Sequence, residues 1–168
     1  MKRYTVAVLV RNQFGVLNRV TSMFRRRQFN ISSLTVSETE SQAYSRITVI
    51  FDGAETEKQQ LVSQLYKLPD VSYVSEMMPE ASVSSELMLI NMGNSPAQQD
   101  DILNIAKTFG AEMMDYHPDA LMFQLSAGSR QLDEFINAMR QFDILEICRT
   151  GSVSLEKGKT TIRERALF

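Results

Sequence analysis

The sequence predicts an α+β fold in which a βαββαβ unit occurs twice in tandem. Three observations carry this. Gly15, Gly53, Gly93, Gly110, Gly128 and Gly151, with Pro69, Pro79, Pro96 and Pro118, fall at the boundaries of periodic segments. Between these boundaries, apolar residues either alternate with period two or recur at helical spacing. The order strand, helix, strand, strand, helix, strand is complete by residue 76 and starts again at residue 85.

In the first half, the apolar run Tyr4 to Val10 reads as a buried strand, 4–10. Val16, Leu17, Val20 and Phe24 mark a helix over 16–27. Strands are expected at 30–38 and 43–51, a helix at 55–67 and a strand at 70–76. The second half begins with a strand at 85–92. Ile102, Ile105, Ala106 and Phe109 form one stripe of a helix over 97–109, with Ser95-Pro96 as N-cap and first helical residue. Strands follow at 111–116 and 120–126, where Leu121, Phe123 and Leu125 alternate with Met122 and Gln124. Leu132, Phe135, Ile136 and Met139 form the stripe of a helix over 129–141, with Ser129 as a cap candidate. The last strand is expected at 143–149.

Each half is thus a split βαβ unit, a ferredoxin-like arrangement of four antiparallel strands with two helices on one face. The natural linker is Met77 to Ser82, giving domains at 1–78 and 79–168. One face of each sheet is left uncovered by its own helices, so dimerisation is expected. The final segment, Lys157 to Phe168, has few apolar residues and is expected to fray or to order on a partner.

Composition bounds the function. The chain has 168 residues, 43% of them hydrophobic, with a formal net charge of −2. No apolar run approaches the roughly 20 residues that span a bilayer. Met1-Lys2-Arg3-Tyr4 enters a strand pattern at once and shows no secretion signal. The single cysteine, Cys148, has no internal disulfide partner, sits in an apolar run and has packing as its default role, and a reducing cytoplasmic setting is expected. Residues 1–76 carry ten Lys/Arg against seven Asp/Glu, and the remainder eight against thirteen. The Arg25-Arg26-Arg27 run falls in the last turn of a helix, where cations offset the dipole. The strand 43–51 lacks the glycine and alternating aromatics with which an RNA-binding module of this topology stacks bases, so no nucleic-acid partner is expected.

No catalytic constellation is present. The one histidine, His117, precedes Pro118 in a hairpin turn. Asp100-Asp101 and Asp133-Glu134 read as acids of first helix turns. There is no zinc spacing and no phosphate-binding glycine loop, so no metal or cofactor is expected in this chain and no enzyme activity of its own.

One stretch offers a ligand seat. Asn12-Gln13-Phe14-Gly15-Val16-Leu17-Asn18-Arg19-Val20 runs from a strand through a short loop into a helix. The first N–H groups of a helix lack intrahelical partners and carry partial positive charge. Gly15 has no Cβ, so a carboxylate can approach that backbone. A small anion such as an amino acid fits the chemistry, as does an ordinary strand-to-helix turn.

The same stretch, read with Phe29-Asn30-Ile31-Ser32-Ser33-Leu34-Thr35-Val36, Ser45-Arg46-Ile47-Thr48-Val49, Leu65-Tyr66-Lys67-Leu68-Pro69-Asp70-Val71, Glu86-Leu87-Met88-Leu89-Ile90 and Glu146-Ile147-Cys148-Arg149-Thr150-Gly151, resembles the regulatory small subunits of acetolactate synthase, also called acetohydroxyacid synthase. The resemblance runs nearly end to end. It implies that the first half is an ACT domain, an amino-acid-sensing module that pairs side by side with a second copy and binds an effector, typically L-valine, at the interface. It implies a homodimer, and a catalytic large subunit as partner, activated and made feedback-sensitive by this chain. That partner carries thiamine diphosphate, magnesium and FAD and condenses two pyruvates, or pyruvate with 2-oxobutyrate, in branched-chain amino-acid synthesis.

With the resemblance, the site is expected to use the N–H groups around Gly15, Val16 and Leu17 for the effector's carboxylate and Asn12 for its polar end. Asn30 is expected from the paired protomer, with Ile31 and Leu17 as apolar wall. Phe14 stands where the family commonly has a small residue or proline, Arg11 where it commonly has an acid, and Ser126-Ala127-Gly128 differs from the family's acid-containing turn. A bulky ring beside the loop would narrow the pocket or close it over the ligand, so activation without valine inhibition stays open. A free-standing ACT-type sensor with another partner is the alternative the residues leave open.

Overall fold

A computed structural model describes residues 2–159 and 161–166. Two compact units emerge. The first unit contains β1 (Lys2–Arg11), α1 (Val16–Arg26), β2 (Ile31–Glu38), β3 (Tyr44–Gly53), α2 (Glu55–Leu65) and β4 (Val71–Glu76). Its sheet has the order β2-β3-β1-β4, antiparallel throughout. Tyr4, Val6, Val8 and Val10 alternate onto the helix-covered face with their partners Phe51, Val49 and Ile47. Val20, Phe24, Leu61 and Leu65 close that core from the helices. The Tyr4 and Phe51 rings stack at 5.5 Å.

The second unit repeats the pattern with β5 (Ser82–Gly93), α3 (Gln99–Phe109), β6 (Glu112–His117), β7 (Ala120–Ala127), α4 (Ser129–Met139) and β8 (Ile144–Arg149), in the sheet order β6-β7-β5-β8. Met88, Ile90 and Met92 of β5 and Leu121, Phe123 and Leu125 of β7 meet Ile102, Leu132 and Phe135. The βαββαβ unit read twice from the sequence is the observed architecture, and each of the twelve expected elements is present within a few residues of its expected ends.

Several local expectations are corrected. Ser95-Pro96 does not open α3: the Ser95 carbonyl accepts N–H bonds from Gln98 and Gln99, both at 2.9 Å, and helix geometry starts at Gln99. A proline whose fixed φ suits the second position of a turn has been used there instead. Ser129 is not a cap; Gly128 takes that position, and Ser129 Oγ donates to Glu86 Oε2 at 2.9 Å. Asp133 and Glu134 lie beyond the first turn of α4 and take Arg149 and Arg130 respectively. Cys148 is exposed rather than packed, because it sits opposite Leu89 on the sheet face that the helices do not cover.

The carboxyl-terminal segment departs most from expectation. The described residues between Val153 and Ala166 cluster with the first unit, where a place in the second is expected from the sequence. They form β9 (Val153–Glu156), where Ser154 meets Ser84 of the same unit, and the short α5 (Ile162–Ala166), which lies against β4 and β1. Polar contacts do the holding that apolar residues were expected to fail at. Arg46 Nη2 donates to the Ser154 carbonyl at 2.6 Å and Ser75 Oγ to Glu156 Oε1 at 2.6 Å; Arg165 pairs with Glu156 at 3.0 Å. On the face of the first sheet turned away from its helices, Ala7, Leu9, Thr48 and Ile50 are buried. The expectation for the tail extended to Thr160, Leu167 and Phe168, which lie outside the described residues.

Candidate functional site: the loop between β1 and α1

β1 ends at Arg11, and the chain is pinned at once on both sides. Arg11 N–H donates to the Asp70 carbonyl at 2.9 Å and Asn12 N–H to the Ala43 carbonyl at 2.8 Å. A tight turn follows, with Val16 N–H donating to the Gln13 carbonyl at 3.3 Å. Gly15 then stands at the N-cap of α1 with φ 81°, in the left-handed region that glycine enters without steric cost. No side chain caps this helix. Among the described residues, the N–H groups of Gly15, Leu17 and Asn18 have no hydrogen-bond partner. These three donors lie at the positive end of the helix dipole, and a Cβ on Gly15 would meet nothing nearer than Arg19 Nη1 at 3.6 Å. Arg19 is itself oriented by Asp70, whose Oδ2 accepts from Nε at 2.7 Å. Asp70 thus holds the loop twice, by its backbone carbonyl and by its carboxylate. The donors, the dipole and one positioned guanidinium make a seat for a carboxylate.

Asn12 lies beside this seat with its amide nitrogen committed to the Gln42 carbonyl at 3.1 Å and to Glu38 Oε1 at 3.4 Å. Its amide oxygen is the group left for a ligand's ammonium. Leu17 is exposed on the helix surface, and Val16 is buried in the first core with an edge on the loop cavity. That cavity has a volume of only about 110 Å³ and is bounded by Asn12, Gln13, Leu17 and Val36. It is smaller than the usual small-molecule site of about 300–1,000 Å³. Phe14 projects fully into solvent, and Leu17 and Val36 are each about two-fifths exposed, 42% and 41%.

Asn30 and Ile31 are not part of this cluster within one chain. Ile31 pairs with Phe51, at the end of the sheet where β1 begins. The loop is at the other end, beside Glu38, so the length of β2 separates them, about 23 Å at the usual strand rise. Val36 and Ile31 occupy the two ends of one edge strand, and it is Val36 that lines the loop cavity. Sequence reasoning missed Val36, Glu38 and Arg19. Only the β2-β3-β1 register brings the first two to the loop, and the signal for Arg19 was its place one helical turn after Gly15.

The fold and this loop define a class: a tandem βαββαβ protein whose first domain carries a cluster of N–H donors at a helix start. Residues 6–73 match the family model described as an AHAS small subunit-like ACT domain, and residues 85–158 match the model for the small subunit of acetolactate synthase. A probable acetolactate synthase small subunit of Archaeoglobus fulgidus is 39% identical over 93% of this chain and 98% of its own length. The acetolactate synthase isozyme 3 small subunit of Escherichia coli K12 is 35% identical over 96% and 99%. The crystal structure of the acetolactate synthase small subunit from Thermotoga maritima superimposes with a TM-score of 0.86 at 30% identity, covering 95% of this chain and all of that one. The chain belongs to the acetolactate synthase small-subunit family, and its first domain is an ACT domain.

Among the described residues, no group of three or more His, Cys, Asp or Glu side chains is placed to hold a metal ion, and no helix is long and apolar enough to cross a membrane.

Proposed function

We propose that this chain is the regulatory subunit of acetolactate synthase, that it activates a catalytic subunit converting two pyruvates to 2-acetolactate and CO₂, and that it confers feedback inhibition by L-valine. Thiamine diphosphate, magnesium and FAD belong to the catalytic subunit in this reading, and none to this chain. The setting is cytoplasmic. The observation that carries the valine part is the donor cluster at Gly15 to Asn18 beside Arg19, left without partners at the edge of a sheet.

The geometry supports a site shared between two copies. β2 is an edge strand with Asn30 at its start and the Gly15 loop near its end. Antiparallel pairing of two such edges about a two-fold axis carries the partner's start to this chain's loop. The small loop cavity is then half of a site. The carboxylate sits on the Gly15–Asn18 N–H groups, the partner's Asn30 approaches the polar end, and Leu17, Val36 and the partner's Ile31 wall the side chain. Binding between two copies lets the ligand favour one dimer geometry, to the extent that its affinity differs between geometries.

Mixed dimers test this sharing. Asn30→Ala is expected to weaken valine binding about tenfold, the loss of one or two hydrogen bonds to a charged ligand. In calorimetry, Asn30→Ala chains mixed with Gly15→Asp chains are expected to regain one full-affinity site per mixed dimer, formed by an intact loop facing an intact Asn30. A mixture that binds no better than its parents would show that the two residues do not meet across an interface.

A further inference from the structure

The Gly15 loop is polar in two opposite senses along its length. Its end carries donors: the N–H groups of Gly15, Leu17 and Asn18, and the Arg19 guanidinium. Its start carries acceptors. Asn12 Nδ2 is spent on the Gln42 carbonyl and on Glu38 Oε1, which leaves Asn12 Oδ1 as the free atom of that amide. Glu38 is the second acceptor. Residues directly opposite one another in an antiparallel pair share a face. Glu38 pairs with Ser45, and Ser45 with the core residue Val10, so Glu38 stands on the helix-covered face two residues beyond Val36. Val10, Val36 and Ser45 all line the loop cavity, and Glu38 is exposed at its rim. Its carboxylate makes no ion pair with a described residue; its one hydrogen bond is the long contact from Asn12 at 3.4 Å.

A charge on an edge strand ordinarily discourages pairing with another edge, and a guard of that kind has no bearing on what the loop binds. The contact with Asn12 gives Glu38 a different place. The donors at the loop's end take any small carboxylate. An α-amino acid and the 2-oxo acid of the same skeleton carry the same carboxylate and the same side chain, so neither the donors nor the apolar wall separates them. They differ only at the α-carbon. An ammonium there brings three N–H donors and a positive charge to the Glu38 carboxylate and Asn12 Oδ1; a carbonyl oxygen brings lone pairs against two acceptors. Resting on the reading of this loop as an effector seat, we infer that Glu38 determines its specificity: with Asn12 Oδ1 it takes the ammonium of an apolar α-amino acid and turns away the corresponding 2-oxo acid. The regulator then answers to the amino acid and not to the compound one amino transfer away from it.

Calorimetric titrations of the full chain with L-valine and with 3-methyl-2-oxobutanoate, its 2-oxo counterpart, test this in the wild type, Glu38→Gln and Glu38→Asp. The wild type is expected to prefer valine. Glu38→Gln keeps the size of the side chain and an acceptor oxygen for Asn12 and removes the charge. It is expected to weaken valine about tenfold, the loss of one charge-assisted hydrogen bond, and to leave the 2-oxo acid unweakened, so the preference falls about tenfold. Glu38→Asp keeps the charge and is expected to keep part of the preference. Equal weakening of both ligands, which a purely structural hold on Asn12 would produce, overturns the inference. So does an unchanged preference, including one accompanied by a change in dimer affinity on sedimentation, which would assign Glu38 to guarding the edge. Gly15→Asp is expected to lose both ligands and separates this inference from the reading beneath it. Valine binding that Gly15→Asp abolishes but whose preference Glu38→Gln leaves alone keeps the loop and removes Glu38. Valine binding that survives Gly15→Asp, or a wild type that binds neither ligand, removes the loop and Glu38 with it.

Discussion

Gly15→Asp is expected to abolish the response of the assembled enzyme to L-valine while leaving stimulation of the catalytic subunit in place. Two effects act at that position. Gly15 has φ 81°, and an L-residue there costs roughly 1–2 kcal/mol, least for Asp and Asn. The larger effect is occupancy. A Cβ on residue 15 has open space apart from Arg19 Nη1 at 3.6 Å, so the new carboxylate settles over the N–H groups of Leu17 and Asn18 and beside that guanidinium. It fills the anion's place and repels a second anion. Losing two charge-assisted hydrogen bonds lowers valine affinity by about a hundredfold or more. Gly15→Asn separates the two effects, since it keeps the strain and drops the charge; its loss of valine affinity is expected to be smaller. Valine titrations of acetolactate formation by the three forms decide the matter, and wild-type sensitivity in Gly15→Asp would remove the loop from the site.

Glu86→Ala is expected to destabilise the second domain by about 3 kcal/mol, at the low end of what removing one partner of a buried ion pair costs. Glu86 is 6% exposed on β5. Arg149 Nε and Nη2 on β8 reach its two oxygens at 2.8 and 2.9 Å, a bidentate pair, and Ser129 Oγ adds a third donor from the start of α4. Arg149 Nη1 also bonds Asp133 at 2.7 Å, and its side chain is 30% exposed, which limits the penalty when Glu86 is lost. Burial by itself raises the Glu86 pKa, but the hydrogen bonds from Arg149 and Ser129, the Arg149 charge and the Gly151 N–H outweigh it and hold the carboxyl below its ordinary value. In return, the Glu86 bonds hold the Arg149 guanidinium above its usual pKa, against the opposing effect of burial. A carboxylate with a depressed folded pKa binds its proton more readily when unfolded. Its contribution is therefore full above the unfolded value of about 4.3 and is lost as the pH falls through the lower folded value. Urea titrations followed at the Met88 and Met92 methyl groups should show wild-type stability falling in that acid window and Glu86→Gln flatter across it. Equal slopes would assign no linkage to this pair.

Much of this architecture was legible because its signals are local. Alternation in Leu121 to Leu125 and the stripes of α3 and α4 depend on neighbours a few residues apart, and they placed the elements. The Glu86–Arg149 network was legible only as motif residues: two segments 63 positions apart show no chemistry until β5 and β8 pair. The terminal segment was misread for a related reason. Its short polar run looks unable to pack, yet Arg46, Ser75 and Glu156 hold it through hydrogen bonds no periodicity announces. At the loop, Gly15, Leu17 and Asn12 were legible from the strand-to-helix passage. Val36 and Glu38 were not, since only the register of β2 on β3 brings them there. Phe14, a bulky residue of the loop, points wholly into solvent, so in a single chain it does not narrow the loop cavity.

The most direct measurement is acetolactate formation by the cognate catalytic subunit, with and without this chain, and in each case with and without millimolar L-valine. The expected result is stimulation by the chain that valine reverses. A folded chain that gives no stimulation would contradict the regulatory-subunit reading itself, and stimulation that valine leaves untouched would contradict the assignment of the Gly15 loop as a working valine site.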